Sequence, residues 1–195
     1  MSLVSVIIIL VTWKFFSLYF NSEFVLPSPE KTLLTTLKLF VDDRFLVTVG
    51  TTILRSLTGF IVSFFLGLLA GIAAGVNPYV DAFLRPVLVT IRSVPIIAII
   101  LLALIWLTPG TVPVFIAMLT MFPFICTNVS DGIRSVDRDL VQMAKFYRVE
   151  NARIVKELYI PAIMPFIISG ASSAMGIGWR AIITGEVLSH PRYGI

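Results

Sequence analysis

SVPIIAIILLALIWLTPGTVPVFIAMLTMFPFICTNVS, residues 93–130, runs for 38 positions without an Asp, Glu, Lys or Arg. As a single α-helix it would be about 57 Å long at 1.5 Å per residue, close to twice the ~30 Å hydrocarbon core of a bilayer. It therefore holds two membrane-crossing segments. Thr108-Pro109-Gly110 is the expected break, because proline and glycine both interrupt a helix there. The expected spans on either side are 87–107 and 112–129.

Working outward, three more segments reach the ~20 apolar residues that a crossing needs. Residues 51–75 form one, with no charged side chain between 56 and 80. Residues 162–185 form another, with Pro161 and Pro165 near its start, where proline is tolerated. Residues 2–20, apolar apart from Lys14, form the fifth. They lack the basic start and small-residue cleavage site of a secretory leader. The reading is an all-α membrane protein, a polytopic helix bundle with five visible spans. Its parts are a first helix (1–20), an external segment (21–49) with a short interfacial helix near Lys31–Phe40, and a core (50–195). Asn77-Pro78 and Arg85-Pro86 mark an expected turn-rich connection.

Composition supports this. Hydrophobic residues make up 57% of the 195 and charged residues 13%, against about 25% charged in a soluble domain. Mean hydropathy is +0.98. A soluble fold of this size cannot hide so much apolar surface. The net charge is +4, but the basic residues sit between apolar runs rather than interleaving with aromatics. That pattern orients a membrane protein and argues against a nucleic-acid surface. Cys126, the only cysteine, excludes an internal disulfide.

The one long charged stretch, 130–161, carries Arg134, Arg138, Lys145, Arg148, Arg153 and Lys156. The positive-inside rule makes it cytoplasmic. Parity then places 21–49 outside and 77–86 inside. Within the stretch, Asp137 or Asp139 can cap a helix over Leu140–Tyr147, with Leu140, Ala144 and Tyr147 on one face. A second helix is expected over Asn151–Leu158. Spacing leaves two roles open for this hairpin, docking onto a protein or lying on the lipid surface. Gly67, Gly71 and Gly75, and the small residues Gly170–Gly178, predict closely packed helices.

Several signatures recur in a fixed order: Leu26-Pro27-Ser28-Pro29, Ser56-Leu57-Thr58-Gly59-Phe60, the Gly67–Gly75 series, Arg92-Ser93-Val94-Pro95, Leu104-Ile105-Trp106, Phe122-Pro123, Gly132, Val136-Asp137, Trp179 and Glu186. Together the chain resembles the permease subunits of binding-protein-dependent ABC importers of the type I, MetI-like fold. Within these it is most similar to the nitrate/sulfonate/taurine class. Their cytoplasmic EAA loop reads Glu-Ala-Ala, three residues, Gly, nine residues, Ile, one residue, Leu-Pro. Gln142, Met143 and Ala144 fall on Glu-Ala-Ala, Arg148 on the Gly, Leu158 on the Ile, and Ile160-Pro161 on the Leu-Pro. The resemblance implies that these seven residues couple to an ATPase. It also implies a dimer of ABC ATPase subunits holding ATP and Mg, a second permease copy, an extracytoplasmic substrate-binding protein and a cytoplasmic (inner) membrane location. No cofactor is expected on this chain. A sixth span beyond Ile195 is also implied. A left-handed conformation costs Arg148 about 1–2 kcal/mol, so its turn is expected to differ in geometry from the family's glycine turn.

An ionisable group at membrane depth is a functional candidate. Arg55 is expected to snorkel to the outer interface. Glu186 either lines a pathway or holds a neighbouring helix. Ser172, Ser173 and Thr184 either line that pathway or bond their own helix carbonyls. Six residues separate Arg180 from Glu186, a poor match for a pair on one helix. GxxxxGK[ST], HExxH and GxSxG are all missing from the sequence. The alternatives to a permease subunit are a stand-alone secondary transporter, a membrane enzyme and a scaffold. Residues 93–130 contain no buried acid for ion coupling.

Overall fold

The computed structural model describes residues 2–20 and 22–194, so the expected segment ends at Met1, Asn21 and Ile195 lie outside the described residues. Among them the chain is helical with no strand. It divides into two compact units, Met1–Val49 and Gly50–Ile195.

In the first unit, α1 (Ser2–Phe20) is followed by α2 (Pro29–Leu39). Ser28 caps α2 by accepting from the Lys31 N–H, and Pro29 occupies the first turn. The two helices are tied by polar contacts. Trp13 Nε1 donates to the Pro27 carbonyl at 3.0 Å, Ser17 Oγ donates to the Leu26 carbonyl at 3.1 Å, and Lys14 Nζ pairs with Glu30 at 2.8 Å. The last contact gives the charge of Lys14 a partner. Its hydrogen bond to Glu30 holds that carboxyl below the usual carboxylate range.

The second unit takes up α3 (Asp43–Val76) from Gly50 onward. It continues with α4 (Pro78–Ser93), α5 (Ile96–Trp106), α6 (Val112–Arg134), α7 (Arg138–Phe146), the single turn α8 (Asn151–Ile154), a π-turn over Val155–Tyr159 and α9 (Ile160–Ser189). Its frame is a three-helix seam built on glycine. A Cβ added at Gly59 would lie 2.8 Å from Ala117, at Gly67 2.8 Å from Ile125, at Gly71 2.7 Å from Val129, and at Gly75 2.8 Å from Ile133. The partners advance in step along both helices, so α3 and α6 run parallel at backbone contact. On the other side of α6, Gly132 meets Phe166, Asn128 meets Gly170, Met121 meets Gly178, and Pro113 meets Gly185. Here the partners run in opposite order, so α9 is antiparallel to α6. The small residues do what their spacing predicts, letting backbones approach where lipid supplies no hydrophobic drive. The core between them is Ala117, Met121, Ile125, Val129, Ala174 and Ile182.

Three expectations need correction. Residues 77–86 are not a turn-rich connection. Asn77 caps α4 by accepting from the Tyr79 N–H at 2.9 Å, and Pro78 sits in the first turn, so Asn-Pro here starts a helix. Residues 87–107 are not one straight span. Val94, extended at ψ 131°, precedes Pro95, and α4 and α5 meet at a 98° bend. The proline removes a donor and pushes its predecessor out of the helical region. The hairpin's second helix does not end before a separate fifth span. Residues 151–189 form one continuous helix. Pro161 lies inside it, just after the π-turn. That wider turn relieves the clash of the proline ring with the carbonyl four residues earlier.

Among the described residues, Asp43–Val76, Val112–Arg134 and Asn151–Ser189 are long and apolar enough to cross a membrane. The bent α4–α5 pair adds a fourth if counted as one span, and Val4–Phe20 is a shorter apolar helix.

A capped hairpin and a buried ion pair as the candidate functional site

Asp137 begins the hairpin by accepting the Asp139 N–H at 2.8 Å, which caps α7. The end of α7 is closed by two backbone bonds. Val149 N–H reaches the Ala144 carbonyl at 3.0 Å and Arg148 N–H reaches the Lys145 carbonyl at 2.9 Å. This six-to-one and five-to-two pair is a Schellman closure, and it places Arg148 at the position that prefers glycine. Arg148 accordingly has φ 54°. The expectation of a different turn geometry is wrong: the local strain is accepted because the closure satisfies two carbonyls that would otherwise be left open.

Of the sequence-predicted hairpin residues, Gln142, Met143, Arg148, Ile160 and Pro161 are exposed, and Ala144 and Leu158 are half-buried. The exposed apolar face consists of Leu140, Met143 and Tyr147 at helical spacing, so Met143 rather than Ala144 completes it. Phe146, next to Tyr147, is also exposed and was not anticipated. The opposite face closes a cavity of about 700 Å³, where Val141 and Lys145 face Ile72 of α3 and Ile133 of α6. Ile154 and Val136 are buried and anchor the hairpin's base. Arg134 fastens that base from beside it, pairing with Asp81 of α4 at 2.9 Å and donating to the Ala74 carbonyl of α3 at 2.9 Å.

At the other end of the same unit, Glu186 of α9 has a fully buried side chain. Its Oε1 lies 2.5 Å from Arg55 Nη1 of α3, and its Oε2 accepts from Thr52 Oγ1 at 2.7 Å. Arg55 also donates to the Tyr193 carbonyl at 2.6 Å. Arg55 therefore does not snorkel. It turns inward, because a buried carboxylate is stabilised only by a desolvated partner charge and hydrogen bonds. Of the two roles open to Glu186, the geometry supplies the second, tying α9 to α3. Thr184 bonds its own helix, donating to the Arg180 carbonyl at 2.9 Å, whereas Ser172 and Ser173 are exposed on α9. Sequence reading missed the pair, although a signal existed. Between Arg44 and Arg85 the chain has one base, and beyond Glu157 it has one acid. Arg55 lies in the first half of α3 and Glu186 in the last turn of α9, and antiparallel packing brings the two together.

The arrangement suits a mechanical role more than a chemical one. After the exposed apolar face of α7 and its closing turn, one helix of 39 residues, roughly 58 Å at 1.5 Å per residue, runs to the ion pair near its far end.

A family model described as binding-protein-dependent transport system inner membrane component matches residues 63–191. The putative aliphatic sulfonates transport permease protein SsuC of Bacillus subtilis is 30% identical, over 86% of this chain and 61% of its own length. The taurine transport system permease protein TauC of Escherichia coli is 24% identical, over 95% of this chain and 70% of its own. The bicarbonate transport system permease protein CmpB of Synechococcus elongatus is 27% identical, over 72% of this chain and 51% of its own. The chain thus spans from about half to seven-tenths of the length of these relatives. The family match alone covers well over half of the chain, from the glycine seam through the hairpin to the buried glutamate. The chain belongs to the family of binding-protein-dependent transport system inner membrane components.

Proposed function

We propose that this chain is the membrane-spanning permease of an ATP-driven ABC importer, in which the hairpin Arg138–Ile154 docks into a cleft on a separate ATPase. ATP and Mg are bound by that partner, and the permease itself performs no hydrolysis. Closure of an ATPase dimer moves the hairpins of two permease copies. The continuous helix carries that motion to the outer end, where substrate arrives from a binding protein, and access alternates across the membrane. ATP shifts this two-state equilibrium by binding one state better. The transported solute is a small nitrate-, sulfonate- or taurine-like anion or a small heterocycle; the sulfonates, taurine and bicarbonate named for the relatives support the anion. The hairpin faces the cytoplasm, consistent with its basic residues.

One observation carries this reading: the apolar face of Leu140, Met143 and Tyr147 is exposed although the hairpin beneath it is capped, closed and anchored. A helix that keeps its apolar side outward on a rigid base is built to be covered. The test is to place charge there. Met143→Asp and Leu140→Asp, with Ala144→Asp and Leu158→Asp at the family-matched positions, are expected to abolish both co-purification of the ATPase and uptake. Retention of both in the Met143→Asp and Leu140→Asp variants overturns the docking assignment. So does uptake by the purified chain with no second protein present.

A further inference from the structure

A second polar site lies between α4 and α6, away from the hairpin's outer face. Asp81, Arg85 and Arg92 recur along one side of α4, and Ser130, Asp131 and Arg134 along one side of α6. The two stripes enclose a cleft of about 280 Å³, the space of roughly nine liquid waters. Its charges do not cancel. Asp81 is matched by Arg134 at 2.9 Å. That leaves Arg85, Arg92 and Asp131, a surplus of one positive charge. Arg92 is held rigidly, with Nη2 donating to Thr127 Oγ1 at 2.8 Å and to the Pro123 carbonyl at 2.7 Å, and with its guanidinium 4.6 Å over the Phe124 ring. Arg85 forms no ion pair among the described residues.

The deciding group is Ser130. It is 5% exposed, it lines the cleft, and its hydroxyl has no hydrogen-bond partner. Serine in a helix ordinarily returns its hydroxyl to the carbonyl four residues back, as Ser63 does with Gly59 in α3. A buried hydroxyl left without a partner keeps the cost of losing water with nothing to offset it. Such a cost is tolerated where a ligand supplies the missing bond.

We propose that the cleft binds a small monovalent oxyanion, held by the Arg85 and Arg92 guanidiniums and the Ser130 hydroxyl. Planar guanidinium forks match oxyanion geometry, and the hydroxyl donates a third bond. A soluble sulfonate and the phosphate of an anionic lipid offer the same chemistry. The site needs no ATPase, so its test is independent of the hairpin. The full-length permease, purified in detergent, is titrated with methanesulfonate by calorimetry. In parallel, retained phosphatidylglycerol is measured by native mass spectrometry. Arg85→Gln and Ser130→Ala are expected to weaken whichever probe binds at least tenfold. Lys38→Gln, remote in sequence and in the other unit, is expected to leave it unchanged. Ser130→Ala removes an unpaired buried hydroxyl, so the unligated thermal midpoint is expected to hold or rise, which separates lost binding from lost folding. Binding of methanesulfonate assigns a soluble anion, and retention of phosphatidylglycerol that methanesulfonate does not displace assigns a lipid. Saturable binding of neither probe overturns the proposal, as does equal affinity in Arg85→Gln, Ser130→Ala and Lys38→Gln.

Discussion

At the scale of single residues, strain and burial make opposite demands. Arg148 holds φ 54° at a position that glycine occupies without strain. Arg148→Gly is therefore expected to stabilise the closure by about 1 kcal/mol, less the extra entropy glycine gives the unfolded chain. Thermal unfolding of the purified permease reads this, and a lowered midpoint would refute the strain argument. Glu186 shows the reverse case, a charge whose surroundings were built around it. Removing its partner by Arg55→Met strands a fully buried carboxylate and is expected to cost about 3–5 kcal/mol. Glu186→Gln is expected to cost less, since the amide oxygen still accepts from Thr52 and Arg55 keeps the Tyr193 carbonyl. The double change Arg55→Met with Glu186→Leu is expected to recover most of the loss, because no charge remains to be desolvated. A double variant as unstable as Arg55→Met and Glu186→Leu measured singly and summed would show that the residues act independently.

At the scale of elements, the glycine seam makes a paired prediction. A Cβ at Gly71 would meet the Cys126 carbonyl oxygen at 2.7 Å, a backbone atom that cannot yield alone, whereas a Cβ at Gly176 meets nothing within 4 Å. Gly71→Ala is expected to push α3 from α6 and lower the thermal midpoint sharply. Gly176→Ala is expected to raise it slightly, by the ~0.5–1 kcal/mol that alanine gains in a helix. Equal effects would mean that the seam is not the tight contact. This seam was legible in the sequence because four-residue spacing matches one face of a helix. The hairpin was legible as well, since Asp137 and the charged run mark its start. The break at Pro95 was passed over because 87–107 is long and apolar enough to be read as one span, although Arg92, Ser93 and Pro95 mark a boundary inside it. Arg148 was misread because a local cost was weighed without the two backbone bonds that offset it. The Arg55–Glu186 pair was missed because it joins residues 131 positions apart, and no local pattern encodes such a contact.

At the scale of the whole second unit, helix direction becomes a statement about membrane sides. The α6 helix runs toward the hairpin, and α9 runs back from it antiparallel to α6. The continuous helix over 151–189 has 39 residues, roughly 58 Å long, so it outreaches a hydrocarbon core of about 30 Å. Its first turns carry Arg153, Lys156 and Glu157, all exposed, and must emerge from the lipid. Lys145 and Arg192 should then stand on opposite faces of the membrane, with Lys145 inside. A single cysteine placed at either position can be probed without removing Cys126, which is fully buried. In intact cells a membrane-impermeant maleimide is expected to label Arg192→Cys but not Lys145→Cys or Lys156→Cys. In inside-out vesicles the pattern is expected to reverse. Labelling of Lys145→Cys and Arg192→Cys from the same side would break the antiparallel crossing of α6 and α9. Reversal of the whole pattern would keep the fold but put the apolar handle on the wrong side of the membrane for a cytoplasmic ATPase.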